Sequence, residues 1–259
     1  MLRLRQICLV APELEPVVEQ VRQVFGVDVC HRDEAVAKYG LVNALFVLGH
    51  QVLEIVSPTR EGTAAGRFLD RSGGRGGYMA IFDTHDPERR QSLVESLGVR
   101  IAHVMNAPGF HGIQLHPRDA RATMLEFDRS EGNEKLDGAY WPAGEHWLEH
   151  QRLDLVSGIP CVDVETPDVN DLAVHWARMI DVPIGVDEED ATVLRFDLGA
   201  VRFVPVPTGS AERLAALQVS VGDPEAVLAA VRRAGLPQED GGFVLAGVRF
   251  SLLPAPSVR

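Results

Sequence analysis

Four times along this chain a short apolar run leads into a helix announced by proline, and strand-length runs joined by tight turns follow. Such a repeat restricts the architecture before any single motif is considered, because each unit buries its apolar face only against others of its kind. Residues 7–11 read as a strand. Pro12 then opens a helix whose positions Leu14, Val17, Val18, Val21, Val24 and Phe25 follow helical spacing, and Gly26 ends it. Residues 162–165 read as a second such strand, with Pro167 opening a helix that carries Leu172, Val174, Trp176 and Ile180. A closer pair is Asp86-Pro87-Glu88, whose helix ends at Gly98, and Asp223-Pro224-Glu225, whose helix ends at Gly235. An acidic N-cap, proline in the first turn and glycine past the end are each helix-boundary signals. Residues 44–48 and 52–57 around Gly49-His50-Gln51 form one hairpin pattern, and 194–198 and 201–206 around Gly199-Ala200 form another.

Each module is therefore strand, helix and about three strands, and helix starts at Pro12, Asp86, Pro167 and Asp223 make four βαβββ modules. The expected class is α+β, with one domain over residues 1–129, a linker over 130–152 and a second domain over 153–259. Gly132, Asn133, Gly138, Pro142 and Gly144 interrupt the periodicity of the linker, and its aromatics Tyr140, Trp141 and Trp147 are expected to dock it onto a domain. A chain of 259 residues, 46% of them hydrophobic, can fill two such cores. A net charge of −12 with no Lys/Arg-rich block excludes nucleic acid as a partner. No apolar run approaches the roughly 18 residues of a membrane span, and the opening apolar stretch soon meets Glu13 and Glu15, so no signal peptide is expected. Cys8, Cys30 and Cys161 are odd in number and far apart, which points to the cytoplasm, and Cys161 reads as a small core residue. A monomer or a homodimer fits these features.

Two carboxylates sit where charge is expensive. Glu54 lies inside VLEIV and Glu126 inside TMLEF. Each must meet a partner, a cation or water, or take up a proton, unless its strand lies at an edge with the side chain in solvent. Alternation groups Glu54 with Val52 and Val56, and Glu126 with Met124 and Asp128. If both face one cup, repulsion and desolvation raise at least one pKa, which suits general acid–base work near neutrality. Arg60, Arg67, Arg71 and Arg75 stand among six glycines between residues 62 and 77, either as a solvated helix face or as a grip on a small anion.

The segments VLEIVSPTREGTAAGRFL and GFHGIQLHPRDARATMLEFD, set in paired βαβββ modules, resemble the vicinal oxygen chelate superfamily of glyoxalases, bleomycin-resistance proteins and extradiol dioxygenases. The first domain, to about Arg129, is most similar to methylmalonyl-CoA epimerase-like proteins. The resemblance implies tandem glyoxalase-like domains, in which paired βαβββ modules form two sheets, each curled into a half-barrel around a cup. It also implies a divalent ion held by the first and fourth strands of each module, positions that fall here on Gln6, Glu54, Met79 and Glu126. The family's two histidines are absent. An oxygen set of Gln6, Glu54 and Glu126 would favour Mg²⁺, Mn²⁺ or Ca²⁺ over Zn²⁺ or Fe²⁺, and a site without metal is the alternative. Met79 offers a thioether suited to packing. The implied ligand is small and anionic or carbonyl-containing, contacted by Met79, His116, Arg60 and Arg67. The implied activity is proton abstraction beside the carbonyl of a small oxygenated acid or thioester, of isomerase or lyase type, with Glu54 or Glu126 as base. The competing reading is a non-catalytic binder that sequesters a small molecule, as bleomycin-resistance proteins do. In the second domain the corresponding positions read as Cys161, Phe203, Ala216 and the neighbourhood of Ser251, so its cup is expected to be filled by apolar side chains.

Overall fold

The four expected modules are present in the computed structural model, which describes residues 1–255. The first is β1 (Leu2–Val10), α1 (Leu14–Phe25), β2 (Val29–His31), β3 (Leu41–Leu48) and β4 (Gln51–Pro58), and α2 (Ala64–Ser72) follows it. The second is β5 (Gly77–Thr84), α3 (Pro87–Ser96), β6 (Ile101–Ala107), β7 (Phe110–Leu115), the one-turn α4 (Pro117–Ala120) and β8 (Met124–Ser130). The third is β9 (Val156–Thr166), α5 (Val169–Ile180), β10 (Ile184–Val186), β11 (Thr192–Arg195) and β12 (Ala200–Pro205). The fourth is β13 (Arg213–Val221), α6 (Pro224–Arg233), β14 (Gln238–Glu239), β15 (Gly242–Leu245) and β16 (Val248–Pro254). Their strands form two eight-stranded sheets, ordered β2-β3-β4-β1-β5-β8-β7-β6 and β10-β11-β12-β9-β13-β16-β15-β14.

The helix signals act through identifiable caps. Asp86 accepts the Arg89 backbone N–H at 2.8 Å and Asp223 that of Ala226 at 3.0 Å, with proline in the first turn of α3 and α6. Two starts lie further along than expected. α5 begins at Val169 behind Asp168, whose carboxylate accepts the Asp171 N–H at 3.0 Å, and α1 begins at Leu14. Pro167 and Pro12 precede these helices and do not open them.

The chain forms two compact units, and each takes one module from either half of the sequence. One comprises Met1–Arg5, Met79–Trp141 and Cys161–Ala215; the other comprises Gln6–Tyr78, Pro142–Pro160 and the chain from Ala216 on. In the first unit α3 packs against α5. Trp176 is fully buried there, edge-on to Phe203 at 5.7 Å, and its indole N–H donates to the Ala120 carbonyl at 2.8 Å. Phe82 meets Phe127 and Phe196 at 5.8 and 4.9 Å between ring centroids. In the second unit α1 packs against α6, and Phe25 lies about equally far from Phe243 and Phe250, at 5.9 and 6.0 Å.

The β3–β4 hairpin turns at Gly49, whose φ is +66° and whose added Cβ would stand 2.1 Å from the Ser157 carbonyl oxygen. Only glycine tolerates both conditions. The turn is also anchored by Gln151, which donates to the Gly49 carbonyl at 2.8 Å. Tyr140 and Trp147 are buried and Trp141 stacks on Phe110 at 4.9 Å, so the aromatics of residues 130–152 do dock that segment. Among the described residues no helix is long and apolar enough to cross a membrane.

Candidate functional site

In the second unit β1, β3 and β4 lie side by side, and their register fixes what surrounds Glu54. Cys8 of β1 and Leu45 of β3 stand directly across from it, while Asn43 pairs with Val56 and so points to the same face two residues along. Glu54 is buried, at 8% exposure. Its Oε2 accepts the Gln6 amide N–H at 2.9 Å and its Oε1 accepts the Asn43 amide N–H at 2.7 Å. Asn43 is itself oriented, because its Oδ1 accepts the Asp33 backbone N–H at 2.8 Å and leaves only the NH₂ end for the carboxyl.

Burial drives the Glu54 pKa above the ordinary carboxylate range, and the hydrogen bonds from Asn43, Cys8 and Gln6 pull it back only in part. The Tyr78 hydroxyl feels the same group. Desolvation, with the Cys8 and Glu54 charges, pushes it to about 12 against the opposing pull of Arg67 and Arg71. The α2 helix that carries these arginines is capped by Thr63, which accepts the Gly66 N–H at 3.0 Å, and Phe68 meets Tyr78 edge-on at 5.1 Å. Arg60, Arg67, Arg71 and Arg75 are all exposed.

Of the expected site residues, Gln6 and Glu54 are thus brought into direct contact. Met79 and Glu126 belong to the first unit, where the β5–β8 register pairs Met79 with Met124 and Ile81 with Glu126, so the two share a face. Glu126 is buried at 4% exposure, opposite Gln114 on the other side. His116 lies just past β7 and caps α4, accepting the Arg118 N–H at 3.3 Å. The thiol of Cys161 is pushed to about 12 by burial, which agrees with a packed residue and not a nucleophile.

Sequence reasoning passed over three features. Asn43 was legible as one polar residue in LVNALFVL, and counting back from the Leu48–Gln51 end of the hairpin places it beside Glu54. The second is a buried charged group in the first unit. Arg3 binds Asp83 at 3.3 Å and the Asn133 and Glu134 carbonyls at 2.9 and 3.1 Å, and the Arg5 guanidinium lies 5.1 Å from the Tyr140 ring centre. Desolvation lowers the Arg5 pKa and raises those of Asp83 and Tyr140. Third, the expectation of an apolar cup in the second domain is corrected. Phe203 packs on Trp176 from the helix side, and the adjacent Arg202 pairs with Asp163 across β9 and β12, at 3.0 and 2.9 Å, and with Glu189 at 3.2 Å. Asp163 pairs with Arg202 as Cys8 pairs with Glu54, so Arg202 and not Phe203 stands at the corresponding place, and a one-residue slip turns every side chain to the other face.

A cleft of about 600 Å³ lies in the first unit, lined among others by His85, Glu88, Asn106, His111, Arg129 and Glu131. None of the expected site residues lines it.

The donor set at Glu54 does not fit the divalent ion that the family resemblance implies. Both carboxylate oxygens already receive amide hydrogens, and Gln6 turns its N–H towards Glu54. Among the described residues no three His, Cys, Asp or Glu side chains are grouped to hold a metal.

No family model matches the chain. An ethylmalonyl-CoA/methylmalonyl-CoA epimerase of Cereibacter sphaeroides is 24% identical over 132 residues, covering 49% of this chain and 97% of the relative. A hypothetical protein from Staphylococcus aureus superposes over 98% of this chain and 99% of its own, with a TM-score of 0.68 at 13% identity. A Streptomyces coelicolor methylmalonyl-CoA epimerase in complex with 2-nitronate-propionyl-CoA matches 49% of this chain and 96% of its own, at 24% identity and a TM-score of 0.44.

Proposed function

We propose that this chain, a member of the vicinal oxygen chelate superfamily with methylmalonyl-CoA epimerases among its relatives, is an isomerase-type enzyme that moves a proton beside the carbonyl of a small acyl thioester. The observation that carries the reading is the buried Glu54 carboxyl, oriented by two amides and raised in pKa by desolvation. In its ionised form Glu54 takes the α-proton of the thioester, and the electron pair of the C–H bond moves into the carbonyl to give an enolate. Return of a proton to the α-carbon completes the exchange. The amides of Gln6 and Asn43 fix the base, so its lone pair is pre-aimed at little entropic cost. The exposed guanidinium groups of Arg60 and Arg67 supply a rim that attracts an anionic ligand to an otherwise acidic protein.

The test is deuterium incorporation at the α-carbon of methylmalonyl-CoA in D₂O, followed by mass spectrometry. The wild-type protein is expected to exchange the proton and Glu54→Gln to lose about 10²–10⁴-fold in rate. Equal exchange by the two proteins would remove Glu54 from the role. Stoichiometric binding without exchange would instead favour the sequestering protein.

A further inference from the structure

We propose that the buried Glu54 carboxyl operates without a divalent cation, held instead by an amide clamp of Gln6 and Asn43 in which Asn43 is the positioning residue. The inference rests on the proposed role of Glu54 as base, but its primary test is metal binding, so failure of the proposed reaction and failure of the clamp are distinguishable.

Three observations carry it. First, each Glu54 oxygen accepts one amide hydrogen, from Gln6 at 2.9 Å and from Asn43 at 2.7 Å. A cation seated on either oxygen would face the positive end of an N–H dipole. Second, Asn43 has no freedom to turn and offer its oxygen, because that oxygen is committed to the Asp33 backbone N–H at 2.8 Å. Rotating it would leave a backbone donor and a carboxyl oxygen unsatisfied together. Third, beyond the two clamp amides, the residues directly across from Glu54 on the flanking strands are Cys8 and Leu45, and the same-face neighbours on β4 are Val52 and Val56. None supplies oxygen, whereas Mg²⁺ and Ca²⁺ need about six or more oxygen ligands. Two neutral amides do instead what a cation does for a ligating carboxylate. They fix its plane and favour its ionised form, and they leave it able to take a proton.

The experiment uses the full-length protein purified without a metal-affinity tag. Elemental analysis of the protein as isolated is followed by titration with Co²⁺, read in the visible and near-ultraviolet, for wild type, Glu54→Gln and Cys8→Ala. The expected result is no stoichiometric metal as isolated and no ligand-field or thiolate-to-cobalt band on titration. Cobalt retained equally in all three proteins would place a metal elsewhere and leave the clamp standing. One cobalt per chain in wild type that is lost in Glu54→Gln, or a thiolate band that is lost in Cys8→Ala, would overturn the proposal. The role of Asn43 has its own readout. Asn43→Ala should move the pH midpoint of α-proton exchange upward, whereas Gln6→Met, which removes an amide without freeing the Asp33 N–H or adding a charge, serves as the control on the other side of the carboxyl. A midpoint unmoved in Asn43→Ala would remove Asn43 from the clamp.

Discussion

Replacing Asn43 by alanine tests the clamp through folding as well as through chemistry. The substitution deletes the 2.7 Å bond to Glu54 and the 2.8 Å bond from the Asp33 N–H, and the Glu54 oxygen it leaves behind is buried. A hydrogen bond to a charged group contributes about 1.5–3 kcal/mol, and an orphaned buried acceptor costs about 1–3 kcal/mol, with overlap between the two. The expected loss is therefore about 2–4 kcal/mol at neutral pH. For a chain of this size that corresponds to a fall of roughly 5–10 °C in thermal midpoint. The loss should also depend on pH. The folded Glu54 pKa is raised, so wild-type stability is greatest below the unfolded value and declines as pH rises through the folded one. Asn43 opposes that rise, and its removal lifts the folded pKa further. Both proteins lose stability alike from the ordinary glutamate value up to the wild-type folded pKa, so the gap between wild type and Asn43→Ala should widen between the wild-type folded pKa and the variant's higher one. Calorimetry across pH 4 to 8 measures both effects. A difference under about 0.5 kcal/mol, the range of a neutral surface change, or one that does not vary with pH, would refute the argument.

Glu54→Gln is expected to gain stability relative to wild type as pH rises above the unfolded glutamate pKa, because an amide has no charge to desolvate; denaturant titrations at two pH values check this, and a constant difference would contradict it. Arg202→Ala leaves Asp163, at 1% exposure, without its two-bond partner and should cost about 3 kcal/mol or more in urea unfolding, while a neutral result would mean that water reaches the carboxylate. Gly49→Ala places a Cβ 2.1 Å from the Ser157 oxygen at a φ of +66° and should lower stability by at least about 2 kcal/mol, or prevent folding, with soluble yield and circular dichroism as the readout.

Much of the scaffold could be read from residues alone because its signals are local. Asp86-Pro87 and Asp223-Pro224 specify helix starts through a carboxylate, a backbone N–H three residues on and a ring that pre-sets φ, none of which depends on distant chain. Period-two alternation likewise put Glu54 on one face with Val52 and Val56, and an apolar strand around a carboxylate signalled that the charge would need company. The module count followed.

What the amino-acid order could not settle was pairing at a distance. That Asn43 would meet Glu54 depends on the β3–β4 register and on a backbone N–H at Asp33, which the sequence places 21 residues away from the carboxylate. The face presented by Arg202 depends on a register that a single-residue slip inverts, which is why Phe203 was mistaken for it. The packing of α1 on α6 and α3 on α5 joins modules from opposite ends of the chain, and four helices with similar apolar stripes carry no local mark of which will pair. Local chemistry fixed where each element begins, but only the closed fold, in which every buried donor must find its acceptor, decided which side chains share a pocket.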